Sequence, residues 1–287
     1  MLKHLLVAND FSPAWPRLQS WLPQMANLGC RKVTLAYVIE TGYTQAPEFS
    51  HREHYEQRLA EAAASLARDT GLEVDWTVRV GAVAPELISA AGAHGAGTIV
   101  AGSQGHGRLR RFLLGDSMLD LARLADRPLL LVPVHDDATQ PQEQVCRPLL
   151  ATDGSDAAAG AETVFLQLLP NCRKGVVVSV GQWDERPEAT AERERLQAHI
   201  EALTERAGEA AFDVALVGQG RPSEEIARVA GARGADLIVI GRRGRNPMTD
   251  LLLGSTAEAV CRGSHRPVLL VPATAMAHAS PDAEPAK

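Results

Sequence analysis

The chain has 287 residues, of which 45% are hydrophobic, 22% charged and 4% aromatic, and its formal net charge is −6. That balance is globular, requires cores of Leu, Val, Ile and Ala, and by its acidic sign argues against a nucleic-acid partner. No apolar run reaches the length of a membrane span, no secretory leader opens the chain, and Cys30, Cys146, Cys172 and Cys261 lack C-x-x-C spacing, so a reduced cytoplasmic protein without a membrane or metal role is expected.

The elements follow in order. Leu2 to Ala8 reads as a first strand ending at Asn9-Asp10, and Pro13 and Pro16 open a helix expected to run through Leu28 despite Pro23. Val33 to Ile39 is a second strand, and Thr41 to Ser50 a polar loop. Glu53 to Thr70 is a helix stopped by Gly71. Glu73 to Val80 is a third strand, Pro85 to Gly92 a helix, and Thr98 to Ala101 a fourth strand. A glycine loop, a helix over Asp116 to Ala125 and a fifth strand over Leu129 to Val132 complete the set. After a polar stretch the same order returns. Strands are predicted over 148–152, 175–180, 213–217, 237–240 and 268–271, and helices over 157–169, 188–210, 223–232 and 255–262. Strands alternating with helices imply a parallel sheet covered on both faces.

The returning order is a tandem repeat. Gly102, Gly105 and Gly115 map onto Gly241, Gly244 and Gly254 with a constant offset of 139 positions, as do Pro128 onto Pro267 and Pro133 onto Pro272. The opening strands match with an offset of 143, which carries Asp10 onto Asp153. Two domains follow, residues 1–135 and 147–273, joined by a linker over 136–146, with a disordered tail over 274–287.

Each copy places strand, glycine loop and helix start in succession. Glycine permits close backbone approach and positive φ, and the free N–H groups at a helix N-terminus favour an anion. In the second copy Ser255 and Thr256 follow Gly254 directly, so phosphate is the expected guest. In open α/β sheets such a guest sits beyond the carboxyl ends of the strands, where the winding reverses.

The spacing Gly241-x-x-Gly244, nine residues, Gly254-Ser255 resembles the ATP-binding signature of the universal stress proteins. The Asp153-Gly154-Ser155 turn and the closing HRPVLLVP are similar to the same family. The resemblance covers nearly the whole chain and implies two tandem doubly wound α/β domains, each a Rossmann-like five-stranded parallel sheet of the adenine nucleotide alpha hydrolase type. It implies ATP, with or without Mg²⁺, as cofactor, bound by some members and not by others. Asp153 would meet base or ribose, Val180 the adenine edge, Gly241, Gly244 and Gly254 the ribose and phosphates, and Ser255 and Thr256 the phosphate oxygens. One or more of Arg242, Arg243 and Arg245 would add charge. The matching positions of the first copy, Asp10, Val38, Gly102, Gly105, Gly115 and Ser117, form a weaker set, because Asp116 replaces the hydroxyl residue after the last glycine. A carboxylate about 4 Å from a phosphate charge repels it by roughly 4 kcal/mol at an effective dielectric near 20. Alternatively Asp116 caps its helix facing away.

Three functions compete. The first is an ATP-binding regulator in a stress response, with the nucleotide held mainly by the second copy and protein partners unspecified. The second is a slow ATPase or self-phosphorylating enzyme, although the chain has no G-x-x-x-x-G-K-[ST] motif and no evident general base. The third is a nucleotide-free dimeric scaffold. The family's closing strand often mediates dimerisation, so the two copies pair within one chain or across a homodimer. Trp15, Trp21, Trp76 and Trp183 read as packing residues.

Overall fold

The computed structural model describes residues 1–12, 15–40, 48–103, 115–134, 146–183, 187–209, 211–244 and 253–273. The first half contains β1 (His4–Ala8), α1 (Trp15–Ser20), α2 (Leu22–Asn27), β2 (Lys32–Ile39), α3 (Glu48–Thr70), β3 (Glu73–Val80), α4 (Val83–His94), β4 (Thr98–Gly102), α5 (Asp116–Leu124) and β5 (Leu129–Val132). The second half has β6 (Pro148–Ala151), α6 (Ala159–Leu168), β7 (Gly175–Val180), α7 (Pro187–Ala207), β8 (Phe212–Val217), α8 (Pro222–Ala232), β9 (Leu237–Gly241), α9 (Ser255–Gly263) and β10 (Val268–Val271).

These strands form one sheet in the order β3-β2-β1-β4-β5-β10-β9-β6-β7-β8. Within each half every pair is parallel. The halves meet through β5 and β10, which run antiparallel with Leu130 opposite Leu269. In each half the winding reverses between the first and fourth strands, at β1/β4 and β6/β9. Two apolar layers cover the sheet. One gathers Leu5, Val7, Leu130, Phe165, Val239 and Leu269, the other Leu6, Ile99, Leu131, Ile238 and Leu270. The central strands β5, β9 and β10 are buried at every position, which is why they read as unbroken apolar runs. The outermost strand β3 carries Lys32-paired Glu73 and the exposed Asp75, charges that blunt a sheet edge.

Most elements fall where the sequence puts them, with local differences. The single helix expected from Pro13 to Leu28 is two short helices separated at Trp21. Pro23 lies in the first turn of α2, where its missing N–H is harmless; mid-helix it would have cost a hydrogen bond. Helix α3 begins at Glu48, so part of the loop expected over Thr41 to Ser50 is helical. Gly71 stops that helix at φ +69°, its N–H reaching the carbonyl of Ala67 at 2.9 Å. The expected linker, apart from Cys146, and the expected tail lie outside the described residues.

Helix α6 lies against the exit of β10. A Cβ on Gly160 would stand 2.7 Å from the carbonyl oxygen of Pro272, too close for any side chain. Helix propensity alone favours alanine over glycine by about 1 kcal/mol. Here the contact reverses the sign: Gly160→Ala is expected to lower the urea midpoint of unfolding, and a midpoint at or above the parent's would show that α6 can retreat from β10.

Candidate functional site

The site grows from the reversal between β6 and β9. Strand β6 ends in Thr152-Asp153-Gly154-Ser155, a turn in which Asp153 Oδ1 accepts the Ser155 N–H at 3.0 Å and its hydroxyl at 2.6 Å. Gly154 holds φ +69°, a left-handed conformation that glycine adopts without strain. Strand β9 ends at Gly241, and the chain returns to Gly254, whose N–H donates to the carbonyl of Arg242 at 2.9 Å. Gly254 caps α9 in an extended conformation, and no side chain caps the helix. The helix opens with a backbone bond from Glu258 N–H to the Gly254 carbonyl at 2.8 Å, which leaves the N–H groups of Ser255, Thr256 and Ala257 as first-turn donors.

A cavity of about 530 Å³ opens between these two ends. Its apolar side is Val178, Val180, Trp183, Pro222, Ile226 and Ile240. Its polar side includes Asp153, Glu192, Arg243, Gly244, Gly254, Ser255 and Thr256. An aromatic base suits the first side. An anion suits the second, where helix-start N–H groups, hydroxyls and a guanidinium converge.

Of the residues singled out from the sequence, the cavity gathers Asp153, Val180, Gly241, Gly244, Gly254, Ser255 and Thr256. Arg242 is a correction. Its Nη1 donates to the carbonyls of Arg123 and Ala125, each at 2.9 Å, at the end of α5 in the other half. Arg243 instead lines the cavity, and Arg245 lies outside the described residues. Of the two properties expected of the glycines, close approach and positive φ, only the first is used here. Gly241, Gly244 and Gly254 do not take positive φ; they are needed for close approach. A Cβ on Gly244 would meet Asp153 Oδ2 at 2.8 Å, and one on Gly241 the carbonyls of Arg243 and Ala157 at 3.1 and 3.2 Å. Trp183, read from the sequence as packing, lines the cavity. Its ring covers Gly181 so closely that a Cβ there would collide with the indole, and its Nε1–H is buried with no hydrogen-bond partner among the described residues. The available signal was position: Trp183 lies three residues past Val180, at the mouth of the same strand end.

Beneath the turn lies a buried polar knot. Glu162, 1% exposed, accepts the Thr152 hydroxyl at 2.6 Å and His199 Nε2 at 2.8 Å through one oxygen. The Thr152 oxygen in turn accepts the Gly154 N–H at 3.0 Å. The carboxylate therefore ties α6 and α7 to the backbone that presents Asp153.

The first half keeps the turn but changes its surroundings. Asp10 Oδ1 accepts the Ser12 N–H at 2.9 Å, as Asp153 does for Ser155. Phe11 stands where the second half has Gly154, and it holds φ +53°. A bulky residue in that conformation costs of order 1–3 kcal/mol. The Phe11 ring lies 5.2 Å from Tyr37 and 6.0 Å from Tyr55, with the Arg58 guanidinium 4.0 Å above it. Stacking and cation–π contacts of about 0.5–2 kcal/mol each offset the strain. By strand register Tyr37 takes the place of Ser179, a cavity residue in the second half. Val38 is half-buried in β2, Gly102 ends β4, and Gly115 caps α5. Asp116 and Ser117 are exposed in the first turn of α5, and Asp116 is not a capping side chain. Gly105 lies outside the described residues.

Comparison with known proteins bears on the whole chain. The model of the family described as "Universal stress protein family" matches residues 1–133 and again 147–272. A universal stress protein of Mycolicibacterium smegmatis is 29% identical over 93% of this chain and 96% of its own length. One of Mycobacterium tuberculosis is 31% identical over 60% of each chain. Among solved structures, a universal stress protein from Archaeoglobus fulgidus superposes with a TM-score of 0.75 at 21% identity, covering 95% of this chain and 99% of that one. A second, from Pseudomonas aeruginosa, gives 0.63 at 18% identity over 96% and 95%.

Thr152→Val removes one donor from a buried carboxylate and one acceptor from the Gly154 N–H. A loss of about 1–3 kcal/mol in unfolding free energy is expected. Chemical denaturation checks this, and an unchanged stability would mean that the knot does not hold the turn.

Proposed function

The chain belongs to the universal stress protein family, and from that premise we propose that it is an adenine nucleotide-binding regulator whose ATP is held by the second half. The observation that carries the reading is the cavity itself. It joins an apolar slot at the ends of β6 and β7 to a helix start with free N–H groups, two hydroxyl side chains and Arg243. Val178, Val180, Ile226 and Trp183 would flank adenine, Asp153 would receive the ribose hydroxyls, and Ser255, Thr256 and Arg243 would take the phosphates. Mg²⁺ would be held by the phosphates, with Asp153 within the same polar end.

The first half serves as the structural partner. Phe11, Tyr37 and Tyr55 pack together in the first half, Phe11 and Tyr37 standing where the second half keeps Gly154 and Ser179, and Asp116 stands in the first turn where Ser255 stands in the second. Because β5 and β10 already pair with each other, one chain supplies the contact for which single-domain relatives would need two. We read the role as binding rather than turnover; Asp153 and Glu192 are the carboxylates of the described lining that turnover would have to use as a base.

Titration calorimetry of the full chain with ATP is expected to give about one site, and addition of ATP to change the emission of Trp183. Gly244→Val should abolish both signals while leaving the unfolding transition in place, because its side chain enters the space of the Asp153 carboxylate. Binding by that variant at parental affinity would sink the site assignment. Steady phosphate release by the parent would replace the regulator with an ATPase.

A further inference from the structure

The four cysteines differ in their surroundings. Cys30 is buried, donates its thiol to the Lys32 carbonyl at 3.4 Å, and is pushed by burial up to about 11. Cys261 is buried on the inner face of α9 and pushed by burial up to about 12. The Cys146 and Cys172 thiols are neighbours, each the largest influence on the other's ionisation. Cys146 is buried and Cys172 half-buried, so solvent reaches the pair from one side. The neighbouring Cys146 thiol draws the Cys172 thiol below its ordinary pKa, and the same neighbour relation, with burial, raises Cys146.

Backbone geometry brings the two residues together independently. The N–H of Arg173 donates to the carbonyl of Cys146 at 2.9 Å, which brings the residue before Arg173 alongside Cys146. Asp236 Oδ2 fastens the two flanks further, accepting the Arg147 N–H at 2.9 Å and Arg173 Nη2 at 3.2 Å. The repeat supplies an internal control. In the first half the N–H of Arg31 donates to the carbonyl of Lys3, also at 2.9 Å. Cys30 there takes the place of Cys172, and Lys3 that of Cys146. The same frame thus holds one thiol in the first half and two in the second.

We propose that Cys146 and Cys172 are a reversible dithiol–disulfide pair, a modification site for hydroperoxides in which Cys172 reacts first and Cys146 resolves. The Cys172 thiolate attacks one peroxide oxygen; the S–O bond forms, the O–O bond breaks, and the other oxygen leaves as hydroxide and is protonated to water. The resulting sulfenic acid is attacked by Cys146 sulfur; the S–S bond forms, the S–O bond breaks, and water departs with the Cys146 proton. The pair loses two electrons to the peroxide, and an external thiol such as dithiothreitol returns them. The new bond would join the start of β6 to the segment before β7, and the enclosed chain contains the Asp153 turn and all of α6. Oxidation therefore braces the frame on which Asp153 is mounted.

The test treats the folded, reduced full chain with hydrogen peroxide, blocks remaining thiols, and maps them by peptide mass. A Cys146–Cys172 disulfide within one chain is expected, with Cys172 consumed at least about tenfold faster than Cys30. The melting temperature should rise by several degrees and fall back on reduction. In Cys146→Ser, Cys172 should stop at a sulfenic acid that dimedone captures, and in Cys172→Ser, Cys146 should stay reduced. The proposal is overturned if wild-type Cys146 remains free while Cys172 goes to sulfinic acid or to disulfides between chains. It is equally overturned if Cys30 reacts as fast as Cys172. None of these readouts uses ATP, so they stand apart from the nucleotide assignment.

Discussion

Two short apolar strands, β5 and β10, lie side by side in opposite directions at the middle of the sheet. Each needs a neighbour on both sides, because every residue in both is buried and a buried backbone cannot leave its N–H and C=O groups unpaired. The antiparallel register turns one half over relative to the other and makes a single sheet of two repeats. The two apolar layers then run through both halves, and the open, polar-edged strands β3 and β8 are left at the rims. The cavity sits one strand pair away from this seam, at the reversal between β6 and β9.

The repeat was duplicated in outline and then divided in chemistry at a few positions. The hydrogen-bonded turn after the first strand survives in both halves, with nearly the same carboxylate-to-serine distance. What differs is the residue between. At Gly154 the room over the turn is taken by Leu196 and His199, which a Cβ there would meet at 3.3 and 3.4 Å. Phe11 keeps the same left-handed backbone and fills that room with a ring, supported by two tyrosines and an arginine.

Strands buried on both faces were legible because burial leaves no polar position: Leu129–Val132 and Val268–Val271 can be read without knowing the fold. The repeat offset placed the glycines and Ser255 at one strand end for the same reason, since strand order and loop position follow from alternation. Finer facts were not legible. Arg242 and Arg243 are adjacent, and only three-dimensional packing decides that one reaches α5 while the other lines the cavity. The restart of the helix at Trp21 depended on Pro23 falling in a first turn, a choice between one kinked helix and two short ones that sequence leaves open. Trp183 looked like any packing aromatic because the strand end it guards is defined by Gly181 and Gly218, residues with no side chain to advertise it. The kinship of Cys146 and Cys172 was hidden by the distance between them in the chain.

Arg242 is anchored three ways. Its N–H bonds the Val271 carbonyl at 2.8 Å, its carbonyl receives the Gly254 N–H at 2.9 Å, and its guanidinium grips the last carbonyls of α5. The residue thus belongs at once to the rim of one repeat, the seam strand, and a helix of the other repeat whose opposite end begins at Gly115. Whatever displaces the rim must either drag that helix along or release its end, so the two pseudo-equivalent halves are not independent reporters: Arg242 adds a side-chain link between them to the pairing of β5 with β10.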